Sequence, residues 1–152
     1  FTVQKKSNDI IKANASSLKR LIRSIRFSEG QFSLVLARCN YTGLRSRILE
    51  KLQKESEINI REIYLPHQEK TLFTFIKNGL KDEIPDALEI VGIESAESVD
   101  TILLSANQVR EEFRKTFLFP LILWVNDTIS PSILDLISHP LINCPLTAVK
   151  RW

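Results

Sequence analysis

The residues with the most chemical promise stand between Arg38 and Arg45, in the run FSLVLARCNYTGLRSRIL that covers positions 32–49. An apolar stretch rich in β-formers passes into a short polar turn, one glycine at Gly43 and an amphipathic helix. That outline is the one that binds phosphate. Glycines let backbone N–H groups wrap phosphate oxygens at a helix N-terminus, a lysine supplies a point charge, and a hydroxyl holds magnesium. Aligning G-x-x-x-x-G-K-[ST] on Gly43 puts Arg38 at the first glycine, Leu44 at the lysine and Arg45 at the hydroxyl. With these residues the nest does not close, the point charge is missing, and an arginine cannot ligate a cation. What survives is a vestigial phosphate-loop region of Arg38, Cys39, Asn40, Thr42, Gly43 and Arg45. It could hold an anion through Thr42, Arg45 and the helix end. Turn chemistry alone accounts for the same residues, with Thr42 capping and Gly43 easing the bend.

Other candidates follow other apolar runs. Glu94 and Ser95 end ALEIVGIES, where a Walker B strand would carry Asp and often Glu to hold magnesium and activate water. Here the longer carboxylate stands alone, and Ser95 also reads as the cap of the next helix. Asn126 and Asp127 follow FPLILWV, at the place of a polar sensor in some ATPases, and are equally ordinary loop and cap residues. Cys39 and His67 could pair as nucleophile and base, but no third residue is seen to orient them. Cys39 also reads as a small buried apolar residue. No catalytic residue and no metal-ligand spacing is assigned.

Elements of alternating type must position these groups. Ser7 to Arg26 has helical periodicity, with Ile10, Ile11, Leu18, Leu21, Ile22 and Ile25 on one face and a basic, solvated face elsewhere. SEGQ, positions 28–31, stops it. Strands are expected in FSLVLARC (32–39), INIREIYLP (58–66), ALEIVGIES (87–95) and FPLILWV (119–125), and a fifth is possible in CPLTAVKRW (144–152). Helices are expected in TGLRSRILEKLQKE (42–55), EKTLFTFIKNGLKDE (69–83), the unbroken AESVDTILLSANQVREEFRKTF (96–117) and SPSILDLIS (130–138). Alternation implies parallel pairing, and nearly continuous apolar strands imply a sheet covered on both faces. The expectation is a three-layer α/β sandwich with a mainly parallel sheet of about five strands, in one domain over residues 1–152. Ligands of such sheets bind at the carboxyl ends of the strands, where Arg38 to Gly43, His67, Glu94, Ser95, Asn126 and Asp127 fall.

Composition narrows the classes. The 152 residues are 43% hydrophobic and 26% charged, with a formal net charge of +3, which suits one soluble globular domain and gives no nucleic-acid signal. No apolar run reaches the roughly 18 residues that would span a membrane. The start lacks the apolar core of a signal peptide. Two distant cysteines, Cys39 and Cys144, point to a reducing compartment and thus to the cytoplasm. The chain contains no methionine, which suggests a piece of a longer protein.

FSLVLARCN, LEIVGIES and ANQVREEFRKTFLFPLILWVND, with the elements joining them, resemble the degenerate P-loop domains of bacterial STAND-type signalling proteins, common in cyanobacteria. The most telling piece is a helix carrying Asn107, Arg110, Glu111 and Phe113, followed by Pro120, Trp124, Asn126 and Asp127. The similarity runs from about Leu18 to Asp127. It implies an ASCE-type sheet of order 5-1-4-3-2, flanking repeat or effector domains, and scaffold or switch roles in defence and signalling. The missing lysine and Asp–Glu pair align this chain with the inactive branch, so no catalytic residue is carried over. The expected function is a non-catalytic regulatory domain acting through other domains of the same protein and other protein partners, with no cofactor, membrane or nucleic acid. The alternative is a nucleotide-binding switch or weak NTPase using ATP or GTP with magnesium. A flavodoxin-like or TIR-like module, of order 2-1-3-4-5, is the third reading.

Overall fold

The computed structural model describes residues 18–38, 42–55, 57–66, 68–69, 71–93, 99–125 and 147–150. The first helix, α1, is described over 18–27. It buries Leu18, Leu21 and Ile25, while Lys19, Arg20, Arg23 and Arg26 face solvent, as the periodicity requires. It unwinds at Ser28, whose N–H still donates to Ser24 and Ile25 carbonyls, and Gly30 turns the chain at a φ of 75°. Then follow β1 (Ser33–Arg38), α2 (Thr42–Glu55), β2 (Ile60–Tyr64), α3 (Leu72–Leu80), β3 (Ala87–Val91), α4 (Val99–Gln108), α5 (Arg110–Thr116), β4 (Pro120–Val125) and β5 (Thr147–Lys150).

The sheet order is β2-β3-β4-β1-β5. The first four strands are parallel, and β5 lies antiparallel to β1. The parallel part therefore runs 1-4-3-2. β3 pairs with β2 and β4, which rules out the flavodoxin-like order.

Period-two alternation along each strand builds two cores. Leu34, Leu36, Leu88, Ile90, Leu121, Leu123 and Val125 face one side, under α3, α4 and α5. Val35, Ala37, Ala87, Val91, Ile122 and Trp124 face the other, under α1 and Leu52 of α2. β3 and β4 are buried at every position, as strands covered on both faces must be. The edge strand β2 instead carries exposed Arg61, Glu62 and Tyr64, charges and bulk that discourage pairing with another chain.

Several element boundaries differ from the sequence expectation, β2 spanning Ile60–Tyr64 within 58–66 and α3 starting at Leu72 instead of 69, and three further differences have a local backbone cause. The long helix over 96–117 is broken, so that α4 ends at Gln108 and α5 starts at Arg110. Val109 sits between them with φ −111° and ψ 27°, and its N–H donates to the Ala106 carbonyl three residues back. The tightened turn takes Val109 out of the apolar stripe, leaving it 40% exposed, while Phe113 and Phe117 still reach the core. The helix expected to Glu83 ends at Leu80, because Lys81 and Asp82 are left-handed at φ 47° and 71°. β3 stops at Val91 rather than continuing to Ser95.

Gly92 ends that strand. Its φ is 88°, and an added Cβ would lie 2.9 Å from Tyr64 Cζ and 3.1 Å from the Leu65 carbonyl oxygen. Backbone strain and contact add, so Gly92→Ala should lower stability by about 2–3 kcal/mol. For a chain of this size that is a fall in Tm of about 5–10 °C. Thermal unfolding followed by circular dichroism checks it. Tyr64→Ala in the same chain should not restore the loss, since the strain and the carbonyl remain.

Candidate functional site at the carboxyl edge

The parallel register sets the site region. Ser33 pairs with Pro120 and Arg38 with Val125, Tyr64 pairs with Val91, and Ile90 pairs with Leu123. The four strands therefore end together, at Arg38, Tyr64, Val91 and Val125. Every candidate residue is at or after one of these ends in the chain. Cys39 and Asn40, His67, Glu94 and Ser95, and Asn126 and Asp127 lie outside the described residues, as does the helix expected over 130–138. Arg38, Thr42, Gly43 and Arg45 have their backbone described, and the roles expected of the Arg38, Thr42 and Arg45 side chains lie outside it.

The backbone of the β1–α2 junction speaks to phosphate chemistry. Arg38, at the position of the first glycine, is the last residue of β1 and is held in the ladder opposite Val125. Helix α2 already begins at Thr42. Only positions 39–41 separate strand from helix. A phosphate loop needs more slack, since its first glycine opens the wrap and four residues follow before the second. The register keeps Arg38, at the position of that first glycine, in the sheet.

The residues that carried the family resemblance fall into two groups. Phe113 is fully buried at the centre of one core, and Trp124 is buried in the other. Pro120 opens β4 opposite Ser33, at the edge away from the candidate site. Arg110 and Glu111 are exposed, with Glu111 bridged to Arg114 at 3.0 Å. Asn107 is half-buried, and among the described residues nothing hydrogen-bonds to its Oδ1. Asn126 and Asp127, the remaining members of the pattern, lie outside the described residues.

Sequence reasoning passed over Glu89. This carboxyl group sits in the middle of β3, fully buried on the α1/α2 face, and accepts a 2.8 Å hydrogen bond from Trp124 Nε1. β3 and β4 are adjacent, with Glu89 opposite Ile122, so Trp124 is its diagonal neighbour on the same face. One acid in the apolar run ALEIV and one indole in PLILWV was the available signal. The pair lies within the covered sheet and fixes two strands against each other.

At the amino edge, the loops entering β2 and β3 are tied together. Asp86 Oδ2 accepts from the Asn59 N–H at 2.9 Å, and the Asn59 carbonyl accepts from the N–H groups of Asp86 and Ala87. Among the described residues no three His, Cys, Asp or Glu side chains are grouped to hold a metal, and no helix is long and apolar enough to cross a membrane. Compared with family models, with curated proteins and with solved structures, the chain matches none.

Proposed function

We propose that this chain is a non-catalytic, P-loop-NTPase-like domain that regulates or scaffolds a bacterial signalling or defence protein through protein–protein contact. The observation that carries the reading is the β1–α2 junction. A strand that keeps Arg38 in its ladder and a helix that starts at Thr42 leave only three positions between them, fewer than the phosphate-loop spacing sets between its two glycines. Leu44 in place of the lysine points the same way. The parallel order 1-4-3-2, covered by helices on both faces, is compatible with an ASCE-type ancestor. A sheet without hydrolysis can still signal, because a switch needs two arrangements of differing stability and a partner that prefers one of them.

Thermal unfolding with ATP or GTP and magnesium tests this reading against the nucleotide-switch alternative. A ligand at one hundred times its Kd stabilises the folded state by about 2.7 kcal/mol. That would raise the Tm of a domain this size by about 5–10 °C. The expected result is a Tm that stays within about 1 °C up to millimolar nucleotide. A saturable rise would overturn the non-catalytic reading in favour of the switch.

A further inference from the structure

We propose that the outer face of the α1/α2 layer docks a short acidic segment of a partner protein. The assignment rests on the protein-contact reading above and names the chemistry of the partner.

Charge is divided unevenly between the two helical layers. Residues 18–27 of α1 carry Lys19, Arg20, Arg23 and Arg26, all exposed, and no acid. On α2, Arg47 and Lys51 are exposed as well. Both helices cover the same face of the sheet, through Leu18, Leu21 and Ile25 of α1 and Leu52 of α2. The opposite layer mixes its signs, with Asp100, Glu111 and Glu112 set against Lys77, Arg110, Arg114 and Lys115. In the α1/α2 layer Lys54 is bridged to Glu50 at 3.0 Å. Lys19, Arg20, Arg23, Arg47 and Lys51 enter no ion pair among the described residues.

The spacing works against the helices themselves. Lys19 and Arg23 are four residues apart, as are Arg47 and Lys51, and Arg20 and Arg23 are three apart. Like charges at those spacings are surface neighbours and destabilise a helix, whereas an acid at one of the positions would stabilise it. A face that meets only water has no need of a single sign. Carboxylates seated along it relieve the repulsion, and the arginine forks match them.

The extent of the basic field selects the partner. Residues 18–27 run about 15 Å and the fourteen residues of α2 about 21 Å. Where α1 ends, Glu29, Glu57 and Asp86 line one hollow with Arg26. A nucleic-acid strand longer than the field carries its phosphates onto those carboxylates. Phe27, at the end of α1, is the one large apolar side chain exposed on the described residues of either helix. The face therefore offers neither a row of stacking platforms for bases nor an apolar stripe to enter a bilayer. An acidic segment of about ten residues ends within the field.

The test is binding at about 0.1 M salt, where exposed charges more than about 10 Å apart are screened from one another. Fluorescence anisotropy is read with a labelled decapeptide of alternating glutamate and alanine, its glutamine counterpart and a DNA duplex longer than the field. Co-sedimentation is read with phosphatidylserine vesicles. The glutamate peptide should saturate with a Kd of the order of 0.1 mM, and the other three probes should bind at least about tenfold more weakly. Arg20→Gln with Arg23→Gln should weaken the glutamate peptide about fivefold, as should Arg47→Gln with Lys51→Gln. Lys77→Gln with Lys115→Gln, on the opposite layer, should leave it unchanged. All six side chains are exposed, so each double variant should keep the parent Tm. Tighter binding of the duplex or the vesicles, an equal loss in the Lys77/Lys115 variant, or no saturation with the glutamate peptide would each overturn the proposal. A nucleotide-dependent rise in Tm with peptide binding intact would remove the non-catalytic reading alone. Absent peptide binding with an unmoved Tm would remove only the acidic partner.

Discussion

Phe113→Ala should cost about 3–5 kcal/mol of folding stability, the range for deleting a fully buried aromatic ring. Phe113 is the hub of an aromatic cluster. Its ring centroid lies 5.7 Å from Phe32, 5.3 Å from Phe73 and 5.6 Å from Phe117, the last two edge-on. Those partners enter from the approach to β1, from α3 and from the end of α5, so one ring joins three segments distant in sequence. Tilted and edge-on aromatic pairs add about 0.5–1.5 kcal/mol beyond the area they bury. The helix that carries Phe113 has seven residues, too few to persist without its core contact. Against a total stability of about 5–15 kcal/mol, the loss is large. Urea unfolding should show a lower midpoint with little change in slope, and Phe113→Leu should recover more than half of the difference. A loss below about 1 kcal/mol would mean that the cluster is not the centre of this core.

The second large effect concerns a single acid. Glu89→Ala should destabilise by about 3–4 kcal/mol, because it leaves the buried Trp124 N–H without its acceptor and opens a void between β3 and the helices above it. Glu89→Gln keeps an oxygen at the same reach and a similar volume, so its cost should be about 1 kcal/mol or less. The contrast between the two substitutions isolates the acceptor from the charge. Unfolding curves give the energies. Trp124 fluorescence, measured with Trp152→Phe to remove the other indole, reports whether the local environment is kept. If alanine and glutamine cost the same, the hydrogen bond is not what holds the pair.

Much of this architecture was legible from pattern alone. Three apolar runs became β1, β3 and β4, because a strand buried on both faces has little choice but to be continuously apolar, and FSLVLAR, ALEIV and PLILWV are, while the alternating INIREIYLP became the edge strand β2. The face of α1 was legible because its arginines and leucines alternate at helical spacing. What periodicity could not show was where a pattern is interrupted by local backbone. Val109 matches the apolar repeat of its helix, yet a tightened turn carries it outward. Lys81 and Asp82 look helical in type but adopt left-handed φ. The antiparallel sense of β5 is invisible in a four-residue run, since short strands carry no direction. At the candidate site, sequence spacing placed residues after the expected strand ends, and the four parallel strands end at Arg38, Tyr64, Val91 and Val125. It missed Glu89, because the eye discounts an acid inside an apolar strand, and only the pairing of β3 with β4 supplies its partner.

β5 has a consequence for the order in which the sheet can be completed. Its antiparallel pairs with Leu34, Val35, Leu36 and Ala37 cover the side of β1 that β4 leaves open. Until Thr147–Lys150 docks, the apolar run SLVLA presents a row of unpaired backbone donors and acceptors, a ready template for the strand of another molecule. Residues 126–146 must be traversed before that can happen. During synthesis the chain therefore passes through a stage with both cores buildable and its stickiest strand still an edge. Thr147–Lys150 thus serve as a guard on the first strand, and their docking removes that edge as a template for another copy.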